Sequence, residues 1–185
     1  MKKVILFLCV LTVLGFSGCF SFRYSTDAPI YEDEEIVDID YPELDTIEAY
    51  VQMKEMLAEN YIKKSGMPNG VFRLFFRDGS TRVEGRIVDK QLHNVFRIYH
   101  ENGTPYLIAN YANGVLQHSL TTYYEDGTKQ MYIVYKKGVL NGDFHLYYPD
   151  GTMHIRRFYK NGLPASLAIV YNENGTEQRR IKYDD

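Results

Sequence analysis

The sequence predicts an all-β repeat fold: an elongated antiparallel meander of 24-residue β-hairpin units, preceded by one amphipathic α-helix. Glycine spacing carries most of that expectation. Gly79, Gly103, Gly127, Gly151 and Gly175 recur every 24 residues, each after Asp or Asn and before Ser or Thr. A second series, Gly114, Gly138 and Gly162, keeps the same interval. A fixed period of this length marks one small supersecondary unit stacked many times. Alternating apolar and aromatic residues between the glycines supply the strands, and a three-and-four spacing ahead of them supplies the helix.

The first element reads as a targeting signal. Met1, Lys2 and Lys3 form a short positive region, followed by an apolar stretch over residues 4–16. That stretch falls short of the ~20 residues a spanning helix needs and fits the core of a signal peptide. Ser17 and Gly18 stand directly before Cys19, an arrangement resembling a bacterial lipobox. Residues 1–18 then read as a lipoprotein-type signal peptide and Cys19 as the lipidated first residue of the mature chain. Phe16 occupies a place where an aliphatic residue is usual, so an uncleaved anchor and ordinary secretion stay open. Lipidation would tether the protein to a membrane of the cell envelope, facing the periplasm or exterior. Each buried methylene of an acyl chain contributes ~0.8 kcal/mol, and more than one chain makes the attachment lasting. The other cysteine, Cys9, lies inside the signal core, so the folded part has no disulfide framework and no thiol nucleophile.

Residues 19–44 read as an acidic flexible linker. Glu32, Asp33, Glu34, Glu35, Asp38, Asp40 and Glu43 crowd this stretch, and Pro29 and Pro42 interrupt it. Residues 24–62 hold 12 acids and one base, whereas residues 63–185 hold 17 bases and 12 acids. The formal net charge of −3 conceals that asymmetry. Such composition suits a solvated spacer. A segment that docks on a basic partner, or on the array itself, is the alternative.

Residues 45–65 turn helical. Ile47, Tyr50, Val51, Leu57, Ala58, Tyr61 and Ile62 share one face. Asp45 with Glu48 resembles a capping box, Lys63 and Lys64 close the last turn, and Gly66 then Pro68 stop it. A helix placed here is expected to cover the apolar end of the first hairpin, which a meander otherwise leaves as an open edge. A partner-binding helix is the alternative.

The array covers residues 70–185. Four residues before each Asp-Gly or Asn-Gly glycine stands an aromatic residue: Phe75, Tyr99, Tyr123, Tyr147, Tyr171. Tyr111, Tyr135 and Tyr159 precede the second glycines by three, and Tyr183 keeps their phase. The first unit is degenerate, with Ile87 for the tyrosine and Lys90 for the glycine. The Asp-Gly and Asn-Gly pairs predict two-residue type I′ turns, which need positive φ at both positions. Return turns such as Ala112-Asn113-Gly114 again supply residues that tolerate left-handed geometry. The tyrosine columns are expected to stack between adjacent hairpins. Tyr124 and Tyr148, one residue beyond the columns, are expected on the other side of their strands. They are the candidate binding surface, for sugar rings, a peptide or acyl chains.

Residues 142–151, GDFHLYYPDG, followed by YKNG at 159–162, resemble a unit of the MORN-repeat family in its bacterial variant. The units that begin at Asn94 and His118 depart from that pattern at the leading glycine. The resemblance implies β-hairpins in an elongated curved sheet with no shared catalytic residues. Members with this architecture look like the YwqK-type antitoxin group, which implies neutralisation of a toxin partner.

No catalytic constellation emerges, and the chain is expected not to be an enzyme. His93, His100, His118, His145 and His154 occupy different phases of the repeat, without a second histidine or a cysteine at metal-ligand spacing. No phosphate-binding glycine loop and no glycine-framed serine elbow occur. Neither a metal nor a cofactor is expected. Basic residues in the array are dispersed, which argues against nucleic acid. The expected partners are the membrane, through the lipid anchor, an unidentified protein, and a cell-wall glycan as a further possibility.

Overall fold

The computed structural model describes Val51, Lys54 and residues 68–183, apart from the Ser166 side chain. Cys19, the signal peptide, the acidic linker and the rest of the helix expected at 45–65 lie outside the described residues. Eleven strands follow one another: β1 Gly70–Phe75, β2 Thr81–Val88, β3 Gln91–Leu92, β4 Asn94–Tyr99, β5 Pro105–Ala112, β6 Val115–Tyr123, β7 Lys129–Lys136, β8 Val139–Tyr147, β9 Met153–Lys160, β10 Leu163–Tyr171 and β11 Glu177–Lys182. All belong to one sheet, and each long strand pairs antiparallel with the next in the chain. The short β3 pairs with β2 and runs on through His93 into β4. The predicted meander of hairpins is therefore the fold.

Alternation decides which side chains meet. In β5 the buried residues are Leu107, Ala109 and Tyr111, and in β7 the buried apolar residues are Met131, Ile133 and Tyr135. Successive side chains of a strand point to opposite faces, so these residues share one side of the sheet. Removing a Leu, Ile or Phe side chain from water contributes roughly 1.5–3 kcal/mol, and that face supplies most of the driving force. Tyr111, Tyr135 and Tyr159 all lie in this core. Phe96 meets Phe72 with ring centroids 6.5 Å apart and Tyr111 edge-on at 6.3 Å, while Phe144 meets Tyr159 edge-on at 6.2 Å. Gly85 leaves the space the first rings need: a Cβ there would lie 2.9 Å from Phe72 and 3.0 Å from Phe96.

The Asp-Gly and Asn-Gly tips depart from the expected type I′ geometry. At the Asp-Gly and Asn-Gly tips only the glycine has positive φ, as at Gly79 (+88°) and Gly127 (+86°). Gly79 N–H donates to Phe76 O at 3.0 Å, Phe76 N–H donates to Ser80 O at 2.8 Å, and the register slips between Leu74 and Phe75. That is a type I turn closed by a glycine bulge. The cause is the preceding acid or amide: Asp78 Oδ1 accepts from Ser80 N–H at 2.8 Å, and Asp126 Oδ1 from Thr128 N–H at 2.7 Å. Such bonds favour the right-handed turn and leave only the glycine left-handed. Type I′ geometry occurs instead at the return turns, where Asn113 (+51°) and Gly114 (+75°) are both positive. Asp89 (+50°) and Lys90 (+62°) keep it in the unit that lost its glycine.

A third left-handed site recurs inside the strands. Asn94 (+68°) and His118 (+63°) occupy the repeat phase of Gly142 (+141°). Opposite the last two the ladder skips, between Ala109 and Tyr111 and between Ile133 and Tyr135. A bulge of this kind bends its strand and strengthens the local twist.

Polar ladders join successive units at the return turns. Lys90, Lys137 and Asn161 each donate a backbone N–H to the side-chain oxygen of Asn69, Gln117 and Asn141 respectively, each at 3.2 Å. Val51, in a helical turn, joins the buried core. Lys54, also helical and fully buried, donates to the Tyr106 hydroxyl with its Nζ 4.8 Å from the ring centroid. This contact falls on β5, in the second unit, rather than on the first hairpin.

Candidate binding surface

The face opposite the core holds one uninterrupted row of side chains. Register pairs Arg73 with Glu84, Glu84 with Arg97, Arg97 with Ile108 and Ile108 with Thr121. It continues through Tyr132, His145, Arg156, Ile169 and Arg180. Each long strand contributes one residue. The bulges at the tips are regular, so every unit presents the same phase despite the slips.

In the first half of the row Glu84 accepts from Tyr99 Oη at 2.8 Å, Arg97 Nη1 at 3.0 Å and Arg73 Nε at 3.2 Å. Partial burial works to raise the pKa of this carboxyl, but those three bonds prevail and hold it below its ordinary value. Burial, followed by the bond to Glu84, pushes the Tyr99 hydroxyl up. The arginines remain substantially exposed, so the network organises the surface more than it stabilises the fold.

The second half is aromatic and basic. Tyr132 and His145 lie with ring centroids 6.0 Å apart, and Tyr147 meets His145 edge-on at 6.2 Å. Lys129 Nζ sits 5.6 Å from the Tyr132 centroid and 6.0 Å from that of Tyr147. Burial lowers the pKa of His145; Arg156 and Lys129 reinforce this, against the pull of Asp143. An imidazole flanked by two phenols, with an ammonium group over both phenol rings, offers planar apolar area edged with donors. Aromatic residues and arginine are the types enriched at interface hot spots.

Tyr124 and Tyr148 are placed differently. Both are half-buried, and each bridges to the next unit: Tyr124 Oη donates to Tyr147 O at 2.7 Å and Tyr148 Oη to Tyr171 O at 2.9 Å. His100 holds the same phase one unit earlier, with Nε2 3.0 Å from Tyr123 O. Tyr148 also stacks on His154, centroids 4.3 Å apart at 27°, and borders a shallow open depression with Asn172, Glu173 and Asn174. The predicted turn glycines stand at the hairpin tips and return turns. Among the described residues no three His, Cys, Asp or Glu side chains come together in an arrangement able to hold a metal ion.

The transverse row escaped the sequence reading, although its signal was present. Arg73, Arg97, Thr121, His145 and Ile169 each stand six residues before a tip glycine, and Glu84, Ile108, Tyr132, Arg156 and Arg180 stand five after. Chemical variety hides the column where a repeated tyrosine advertises one.

Residues 92–117 match the model of the MORN repeat variant. They run from the last residue of β3 through β4 and β5 to the start of β6, one unit of the array. MORN repeats are generally associated with protein or membrane binding, which fits a non-catalytic repeat module. No curated protein matches the chain.

Proposed function

We propose that this protein is a non-catalytic binding module of the bacterial cell envelope, lipid-anchored through Cys19, that presents the outer face of its sheet to a protein partner. The transverse row carries this reading. Ten strands at about 4.8 Å make a strip about 43 Å long. Taken over about six residues of each strand, roughly 20 Å, the face around the row spans about 860 Å², comparable with the roughly 800 Å² that each partner buries in a standard interface. A toxin neutralised at the envelope, as the antitoxin resemblance suggests, is one form such a partner takes.

The decisive experiment compares capture from envelope extracts by the wild-type chain and by a Tyr132→Ala, Arg156→Glu variant of unchanged melting temperature. A partner held by the outer face is lost from the variant; equal capture removes the face from the reading. Labelling with a palmitate analogue tests the anchor separately, since Cys19→Ala should abolish the label. A cell-wall glycan is the second reading, favoured by the Tyr148 ring beside its open depression. Co-sedimentation with purified sacculi, lost on Tyr148→Ala, checks it.

A further inference from the structure

The outer face is unevenly charged. In its first half the cations Arg73 and Arg97 are engaged by Glu84. In the second half Lys129, Lys136, Arg156, Lys160, Arg180 and Lys182 are all exposed. The acids on the strands of this half are Asp143 and Glu177, with Glu177 paired to Arg180 at 2.6 Å, while Glu125, Asp126, Asp150 and Glu173 stand at the hairpin tips. The surplus of positive charge therefore lies along β7, β9 and β11.

The chain carries its own complement. Residues 32–45 contain eight acids and no base. Geometry brings them within range: Val51 is buried in the array's core and Lys54 is fixed to Tyr106 on β5. Glu35 precedes Val51 by 16 residues; with the ten up to Asp45 extended and the last six at helical rise, the reach is up to about 43 Å. From β5 to β11 is six strand spacings, about 29 Å.

We propose that the acidic segment 32–45 docks on the basic second half of the outer face of its own chain. Exposed ion pairs are individually weak, but a tethered segment meets the face at an effective concentration in the mM range for short flexible linkers. The contact is consequently reversible and sensitive to salt, because the Debye length shrinks to about 3 Å at 1 M. A protein partner of this face would displace the segment, and an acidic one would compete with it for the same cations.

Zero-length carbodiimide cross-linking of the full chain in detergent, mapped by mass spectrometry, tests the proposal. An equal mixture of ¹⁴N- and ¹⁵N-labelled chains separates links within one copy from links between two. Expected are intramolecular links from residues 32–45 to Lys136, Lys160 and Lys182, about fivefold above those to the return-turn Lys90 and reduced about fivefold at 1 M NaCl. Replacing Glu32, Asp33, Glu34 and Glu35 by their amides should remove most of them. No link to the face lysines, links as frequent at Lys90, or links only between copies would overturn it.

Discussion

The Tyr148 hydroxyl donates to the main-chain oxygen of Tyr171 at 2.9 Å, 23 residues ahead and one unit further along the array. Tyr124 repeats the contact with Tyr147 at 2.7 Å, and His100 approaches Tyr123 O in the same phase. A meander joins its units chiefly by strand ladders, and this bond ties the hairpin tips as well. Tyr148→Phe keeps the ring on His154 but leaves the Tyr171 carbonyl without this donor, and should cost about 0.5–1.5 kcal/mol. Tyr148→Ala also loses the stacking and should cost more. Urea melts of the two variants give the comparison; equal stability of Tyr148→Phe and wild type would show that the bridge contributes nothing.

These bridges also mark the limit of what the sequence conveys. The period, the hairpin meander and the buried column Tyr111, Tyr135, Tyr159 were legible because identical residues recur in phase. Tyr124 and Tyr148 recur too, but identity alone does not tell an exposed ring from one whose hydroxyl is held by the next unit. The tip turns misled for a related reason. Asp-Gly serves type I′ and type I-plus-bulge turns alike, and the choice rests on a side-chain bond such as Asp126 Oδ1 to Thr128 N–H.

Lys90 holds φ +62° where other units have glycine, and Asn69 Oδ1 accepts its N–H at 3.2 Å. Glycine would relieve the left-handed strain while keeping that hydrogen bond. Its greater freedom in the unfolded chain offsets part of the gain. Lys90→Gly should therefore stabilise the array by about 0.5–1 kcal/mol. The melting temperature should rise by about 1–4 °C. Gly151→Val, at φ +84°, should instead destabilise by about 2 kcal/mol. A melt in which both changes move stability the same way would contradict these turn assignments.

Gly85 faces the Phe72 and Phe96 rings across the core. An added methyl at 2.9–3.0 Å from both rings forces them apart. Overpacking of this kind costs about 1–3 kcal/mol. Gly85→Ala should lower stability within that range, and Gly85→Ala with Phe72→Leu should recover part of it. Double-mutant analysis by denaturant melts gives the coupling; strict additivity would mean the rings do not set the residue at position 85.

Acid should weaken the outer face in two steps. His145 has its folded pKa lowered, first by burial, so the unfolded chain binds the proton more readily. Its contribution is complete above the unfolded value near 6.5 and is lost as pH falls through the lower folded value. Glu84 behaves alike further down: burial opposes, but the bonds from Tyr99, Arg73 and Arg97 depress its pKa, so its contribution fades as pH falls below about 4.5. His145→Gln should flatten the decline in melting temperature that begins below pH 6.5, while leaving the step below pH 4.5. Glu84→Gln should do the reverse. Melting curves collected from pH 7.5 to 3.5 separate the two, and a His145→Gln profile parallel to wild type between pH 6.5 and 5 would remove the imidazole from the account. Because Tyr132 and Tyr147 meet that ring and Lys129 lies over both of them, the same protonation adds a second cation to this basic half of the face and should strengthen capture of an acidic partner before the fold itself yields.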